Sequence, residues 1–266
     1  MAAVAAIDLR PRSATEVVDA SFGLLRHHLL ELTTLSVAAS IPLLVVRLLS
    51  SALAPGDPTM PDPSRALLTV PLGIAAWLLQ IFATMPVIVA VSQFYLGDPY
   101  DARAAVRRAM QRYWTTLAAL IMRSILVFLG AFGLLIGGLY VWLRYAPVAA
   151  VSLLEEGDSS KTVSRTWALT ADLTSHVFLV WLPLLVIYSA LVALSWWMLM
   201  SGAALAIVKH TNEVAVFQTA LSAFIAPVNA VVTVVLYYDL RTRKEGFDVE
   251  MMSRAMPPAG APAAGA

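Results

Sequence analysis

Long apolar blocks alternate with short polar segments along most of this chain, and several blocks exceed the roughly 20 residues that cross a bilayer core of about 30 Å as a helix. The longest block, 114–154, would be roughly 60 Å long as one helix, so we place a break at Gly137-Gly138. The pattern thus predicts six spans, which lie at or within 29–53, 66–96, 115–135, 139–155, 175–208 and 214–238.

A shorter amphipathic segment precedes each pair of predicted spans. In 14–26, apolar side chains recur at intervals of three and four residues, as on one face of a helix, and Ser13-x-x-Glu16 forms a capping box. The segments 99–114 and 159–172 repeat this spacing. We therefore predict three repeats of an interfacial helix followed by a membrane hairpin. The alternative is that each segment extends the following span into the cytoplasm.

The composition agrees with an all-α integral membrane protein. Hydrophobic residues make up 59% of the 266 residues and charged residues 13%, against about 45–50% and about 25% in soluble domains. The net charge of +1 offers no field for nucleic acid, so no nucleic-acid partner is predicted. There is no cysteine, which excludes disulfides, thiolate catalysis and cysteine-ligated metal.

The Lys and Arg residues predict which side of the membrane each segment faces. With the N-terminus inside, thirteen of them fall on inner segments, and only Arg65 and Lys209 fall on outer loops. We therefore expect a multi-pass protein of the cell inner (plasma) membrane, with both termini cytoplasmic. Its parts are a cytoplasmic N-terminal segment (1–28), the membrane domain (29–239) and a cytoplasmic tail (240–266) that is disordered at its end.

Two polar stretches resemble the motifs of a known family. Glu155-Glu156-Gly157 with the following 161–169 resembles an "E-G … A-L-x-R-S-W-x-L" signature, and 237–248 resembles "Y-Y-D-L-R-x-R-x-E-G-F-D". Both are similar to the bacterial glycerophosphoryl diester phosphodiesterase membrane-domain family. The residues that carry the motifs, and for which we expect structural roles, are Glu155, Glu156, Arg165, Trp167, Tyr238, Asp239 and Arg241.

The resemblance extends over about residues 10–250 and departs from the family's pattern in two places. Thr166 stands where serine is usual, and Gly137-Gly138 replaces a common Pro-Gly turn. The resemblance implies a six-span membrane module with no established activity of its own. The phosphodiesterase domain that follows this module in some relatives is not expected here, so the resemblance implies no phosphodiesterase activity.

No catalytic or metal-binding motif stands out in the sequence. None of the four histidines lies in a His-Glu-x-x-His motif, and there is no phosphate loop or nucleophile elbow. Glu155, Glu156 and Asp158 form an acidic cluster that could do acid–base chemistry or hold Mg²⁺. The cluster could equally pair with Lys161 and Arg165, which we favour. We therefore expect a protein that is not an enzyme and that binds neither a cofactor nor a metal.

Three arginines lie within predicted spans, and intramembrane charge is a functional-site hypothesis by default. Arg47 and Arg144 lie toward the outer ends, where we expect their side chains to extend to the outer interface. Arg123 is deeper, roughly 12 Å along its helix from Trp114, and no acidic residue lies at a matching depth. All three are candidates for lipid or anion binding. Gln80 or Gln218 could be the partner of Arg123, and these two residues with Asn229 are the candidates for polar contacts at the midplane.

Two functions fit these features. The first is a non-enzymatic scaffold or regulatory subunit of a membrane or envelope-lipid system, which the lack of catalytic motifs and the short loops favour. The second is a small transporter or an anionic-lipid-binding subunit, which the repeats, the proline-broken spans and the intramembrane arginines favour. We predict the first function, with membrane lipids and a membrane protein as partners. A membrane-embedded hydrolase is least favoured, because it would need paired carboxylates or a metal set at one depth.

Overall fold

The computed structural model describes residues 10–53, 63–133, 135–200, 211–247 and 249 of the chain. Regular structure within these residues is entirely helical. The disordered end predicted for the tail and the predicted end of the fifth span, 201–208, lie outside the described residues. The helices are α1 (Ala14–His27), α2 (Leu29–Leu53), α3 (Pro63–Leu96), α4 (Ala102–Gly133), α5 (Leu135–Arg144), α6 (Val148–Leu154), α7 (Ser159–Leu169), α8 (Thr174–Met200) and α9 (Thr211–Glu245).

The architecture is that of an all-α, multi-pass membrane protein, as the sequence predicted. Five described segments are long and apolar enough to cross a membrane. The helix pair Ser159–Leu169 and Thr174–Ala190, which bends by 99° between α7 and α8, makes a sixth candidate if it is taken as one span. Large apolar side chains cover the outside of the bundle; Leu67, Phe132 and Ile136 are each at least 75% exposed. Such a surface is compatible with lipid tails, which are as apolar as leucine. The five segments are Leu29–Leu53, Thr69–Leu96, Ala102–Phe132, Ile136–Leu154 and Ala215–Glu245.

The position predicted for the break between the third and fourth spans is wrong. α4 ends at Gly133 and α5 begins at Leu135, so Gly137-Gly138 lies inside α5. These glycines allow α5 to pack closely against α4: a Cβ at Gly137 would lie 2.5 Å from the Gly130 carbonyl oxygen. Small residues permit such backbone contact between membrane helices. The fourth span itself is interrupted farther along the chain, where residues 145–147 separate α5 from α6.

We predict that Gly137→Ala loosens the α4–α5 hairpin. The added methyl group meets backbone of α4, which cannot move aside cheaply, so we expect a loss of about 1–3 kcal/mol in the free energy of unfolding. Gly73→Ala is the control, because a Cβ there would meet nothing within 4 Å. Reversible unfolding in mixed micelles measures both variants. Equal stability of the two would contradict the close helix contact.

The three predicted surface segments differ from one another. The first is a separate helix, α1, and its start has the predicted capping box of Ser13 and Glu16. The third is also separate, as α7. The prediction of a separate second helix at 99–114 is wrong, because α4 runs without interruption from Ala102 to Gly133. Its first turns extend the following span, which was the alternative. The threefold repeat is therefore only approximate.

Polar contacts join several helices at one end of the bundle, which we call the basic end. The backbone N–H of Arg12, just before α1, donates to Asp239 Oδ1 of α9 over 2.8 Å. Arg112 of α4 donates to the Gly157 carbonyl between α6 and α7 over 2.8 Å. Arg165 of α7 forms an ion pair with Glu245 of α9. The basic end thus comprises the start of α1, the first turns of α4, α7 and the last turns of α9.

Candidate anion-binding site in the membrane domain

Arg144 is held inside the protein and does not extend to the outer interface, contrary to our prediction. It is 6% exposed. Its Nη2 donates to the Trp167 carbonyl over 2.7 Å, and its Nε donates to Thr170 Oγ1 over 3.1 Å. The guanidinium also lies 3.7 Å from the ring centroid of Trp167. That carbonyl belongs to the last turn of α7, where the helix dipole is negative and favours a cation. Arg144 is therefore satisfied by neutral groups.

Arg47 also contacts polar groups of neighbouring helices. Its Nη2 donates to Gln80 Oε1 of α3, and its Nη1 donates to Thr219 Oγ1 of α9, each over 3.0 Å. The sequence suggested Gln80 as a partner of Arg123, whereas in the structure it contacts Arg47. Gln218 does not take part, because its side chain is exposed on the outside of α9 while the next residue faces the bundle. Arg47 thus joins three spans and is not directed to the outer interface.

Arg123 differs from the other two arginines. Among the described residues it has no hydrogen-bond or ion-pair partner, and its guanidinium lies 5.5 Å from the ring centroid of Trp142. A cation–π contact contributes about 0.5–2 kcal/mol, whereas a charge removed from water costs several kcal/mol even after relaxation. The ring therefore does not offset the burial of this charge, and Arg123 needs an anion or water near it.

Arg123 lines a cavity of about 330 Å³ that lies between α3, α4, α5, α8 and α9. Thr233, at one end of its lining, lies roughly 9 Å along α9 from Asp239, and Tyr188 lies roughly 18 Å along α8 from His176. Asp239 and His176 contact each other at the basic end, so the cavity lies near the middle of the membrane domain. The lining residues are Thr84, Ile88, Arg123, Trp142, Ala146, Ala149, Trp181, Tyr188, Ala226, Asn229, Ala230 and Thr233.

Two further polar groups of the cavity wall lack partners among the described residues. Trp181 is 7% exposed, and its Nε1 is buried without a hydrogen bond. The Oδ1 atom of Asn229 is buried without one as well. Buried polar groups in proteins are nearly always hydrogen-bonded, so exceptions call for an explanation. Here two exceptions and an unpaired arginine line one cavity, which is the arrangement expected of a site that binds a polar, anionic group.

The acidic cluster is occupied by structural contacts. Glu155 receives two hydrogen bonds from Arg165, as predicted, and one from the hydroxyl of Tyr237. Glu156 pairs with Arg108 of α4 over 3.0 Å. Asp158 caps the N-terminus of α7. Each carboxylate thus connects or caps helices at the basic end, and the three do not converge on one point.

The C-terminal motif residues join the end of α9 to its surroundings. The Tyr238 hydroxyl lies 2.7 Å from Ser92 Oγ of α3. The Asp239 carboxylate pairs with Arg243 and also contacts His176. Arg241 lies over the ring of Phe247, 4.3 Å from its centroid. These residues, like Trp167 against Arg144, hold helices together.

Comparison of this chain with family models, with curated proteins and with solved structures gives no match. Within the described residues, no group of three His, Asp and Glu side chains is placed to hold a metal ion. The proposal of function therefore depends on the geometry of the cavity. Sequence reasoning singled out Arg123 and Asn229 but missed the two tryptophans of the wall, because aromatic residues in an apolar span carry no signal of their facing.

Proposed function

We propose that this protein is a non-enzymatic membrane protein that binds an anionic amphiphile within its helix bundle, with Arg123 as the anion-binding group. The observation that supports this proposal is a guanidinium that lies in the wall of an intramembrane cavity and has no hydrogen-bond or ion-pair partner within the described part of the chain. An arginine fork is suited to phosphate and carboxylate groups. The cavity volume of about 330 Å³ lies at the lower end of ligand-pocket volumes, about 300–1,000 Å³. It therefore suits a headgroup rather than a whole lipid.

The site further supports a ligand that enters from the bilayer. The cavity wall is formed by membrane-spanning helices, and most of its residues are apolar or aromatic. An amphiphile can place its anionic group beside Arg123 and leave its hydrocarbon among lipid tails. Trp181 Nε1 can donate to the same anion, and Asn229 Oδ1 can accept from a hydroxyl or amine of the headgroup.

We also propose the location and the family. The excess of Lys and Arg at the basic end favours placing that end in the cytoplasm of a bacterial cell, with the bundle in the inner membrane. The motif residues around Glu155 and Asp239 favour membership of the glycerophosphoryl diester phosphodiesterase membrane-domain family. Their observed contacts are structural, in keeping with a module that has no catalytic centre in this region.

The scaffold or regulatory subunit, which we first predicted, stays a prediction. The exposed apolar side chains are distributed over many helices, as lipid contact requires, and they do not single out one partner surface. Transport of the bound amphiphile remains the alternative that the cavity itself suggests. A transporter would in addition move a fluorescent anionic lipid between leaflets of a reconstituted vesicle, which a binding protein would not do.

Arg123→Gln tests the proposed function. The variant keeps a polar, though shorter, side chain and removes the charge. We therefore expect the affinity of this site for anionic lipid to fall about tenfold or more, with a loss of up to about one copurified anionic lipid per protein. The measurement is mass spectrometry of lipids after extraction into native-lipid nanodiscs, normalised to protein. Arg47→Gln is the matched control, because it removes one intramembrane charge that already has protein partners. An unchanged lipid content in Arg123→Gln would overturn the proposal.

A further inference from the structure

The four arginines in the first turns of α4 fall into two classes. Arg108 donates to the Leu153 carbonyl and pairs with Glu156. Arg112 donates to the carbonyls of three residues between 152 and 157. Arg103 and Arg107 are exposed, and among the described residues their guanidinium groups have no hydrogen-bond or ion-pair partner. The first pair therefore fixes α4 to the α6–α7 turn, while the second pair presents two charges to the surroundings.

The two unpaired arginines line a surface groove. A depression of about 430 Å³ at the start of α4 adjoins a second one of about 360 Å³ between α3 and α4, because Met110 lines both. We call the two together the α4 groove. Its lining residues at the basic end are Ala102, Arg103, Val106, Arg107 and Met110, and those farther along are Leu79, Phe82, Tyr113 and Trp114.

Charge and apolar surface are thus separated along the α4 groove. Arg103 and Arg107 are four residues apart and lie on the same side of α4, so both can reach one phosphate group. Trp114 and Met110 are 72% and 63% exposed, and they continue the groove away from the charges. The hydroxyl of Tyr113 donates to the Leu78 carbonyl over 3.1 Å, which holds this aromatic ring against α3.

We propose that the α4 groove binds one anionic phospholipid of the leaflet at the basic end. Arg103 and Arg107 contact its phosphate, and the aromatic part of the groove contacts the upper part of an acyl chain. Charge complementarity selects an anionic headgroup, and the continuation of the groove along two membrane-spanning helices selects a lipid over an acidic protein segment. The α4 groove shares no lining residue with the Arg123 cavity. This second site is therefore independent of the proposed function.

Quenching of Trp114 by brominated lipid tests this site. The protein is reconstituted into phosphatidylcholine nanodiscs that contain either brominated phosphatidylglycerol or the same amount of brominated phosphatidylcholine. The Trp114 signal is the tryptophan fluorescence of each protein minus that of its Trp114→Phe counterpart. We expect phosphatidylglycerol to quench this signal more strongly than phosphatidylcholine does. In Arg103→Gln/Arg107→Gln we expect about a tenfold loss of that excess.

The control variant is Arg26→Gln/Lys161→Gln. It removes two exposed charges that lie outside the α4 groove, and we expect it to keep the excess quenching. Thermal unfolding of both double variants establishes that each is folded. The proposal is overturned if phosphatidylglycerol quenches the wild type no more than phosphatidylcholine does, which is the result expected if the groove faces an acidic protein segment. It is also overturned if the excess survives in Arg103→Gln/Arg107→Gln or if the control loses it equally.

Discussion

Asp239→Ala is expected to lower the free energy of unfolding by about 3–5 kcal/mol, the cost typical of breaking a buried ion pair on one side. The Asp239 side chain is 1% exposed. It accepts hydrogen bonds from the Arg12 backbone N–H at 2.8 Å, from Arg243 Nε at 2.8 Å and from His176 Nε2 at 2.9 Å. Alanine would leave three donors from three parts of the chain without their common acceptor.

Two measurements follow this loss. Unfolding in mixed micelles gives the free energy, and limited trypsin digestion reports on the N-terminal segment, because release of Arg12 exposes the bond between Arg12 and Ser13. Glu156→Ala is the control: its side chain is 85% exposed and pairs only with Arg108 at 3.0 Å, a contact worth about 0–1 kcal/mol. Equal stability of the two variants, with equal digestion, would contradict the role assigned to Asp239.

Arg144→Leu is expected to lower the free energy of unfolding by about 2–4 kcal/mol, because hydrogen bonds to charged groups contribute about 1.5–3 kcal/mol and the variant removes a charged donor from groups at the end of α7. The affected groups are the carbonyl of Trp167, the hydroxyl of Thr170 and the hydroxyl of Tyr140. The contacts with Trp167 and Thr170 connect α5 to the end of α7, so the loss should loosen α7 in particular.

Arg144→Lys serves as the comparison for this site. Lysine keeps the charge near the last turn of α7 but cannot donate from three nitrogens in a fixed plane. We expect its stability to lie between those of the wild type and Arg144→Leu. Hydrogen exchange of α7 amides measures the local effect and unfolding in mixed micelles the global one. If Arg144→Leu were as stable as the wild type, Arg144 would have no structural role.

The spans themselves could be predicted well from the sequence. Hydrophobic length alone placed α2 at Leu29–Leu53, as observed, and indicated α3 within one or two turns of its actual start. The position of the break between the third and fourth spans, which we placed at Gly137-Gly138, could not be predicted in this way. Glycine ends helices and also lets helices touch, and sequence alone does not distinguish these uses. The backbone of Gly130 decides between them, because it occupies the space that a side chain at Gly137 would need.

The candidate site was only partly visible in the sequence. Their position within predicted spans flagged Arg47, Arg123 and Arg144, and greater depth with no acid at a matching depth singled out Arg123. What separates the three is whether a neutral polar group from another helix reaches them. Thr219, which contacts Arg47, is 172 residues away in the chain. Such pairs depend on how helices rotate and pack against one another, which periodicity does not specify for spans that are apolar on all sides.

The most direct test of the account is whether an anionic lipid reaches the cavity that Arg123 lines. The indole N–H of Trp181 reports on this, because its nitrogen is buried without a partner among the described residues. Its resonance can be assigned with Trp181→Phe in phosphatidylcholine nanodiscs, and phosphatidylglycerol is then titrated in. We predict a saturable shift of the indole proton to lower field, which Arg123→Gln abolishes. A Trp181 resonance that stays fixed throughout the titration in the folded protein would contradict the central claim.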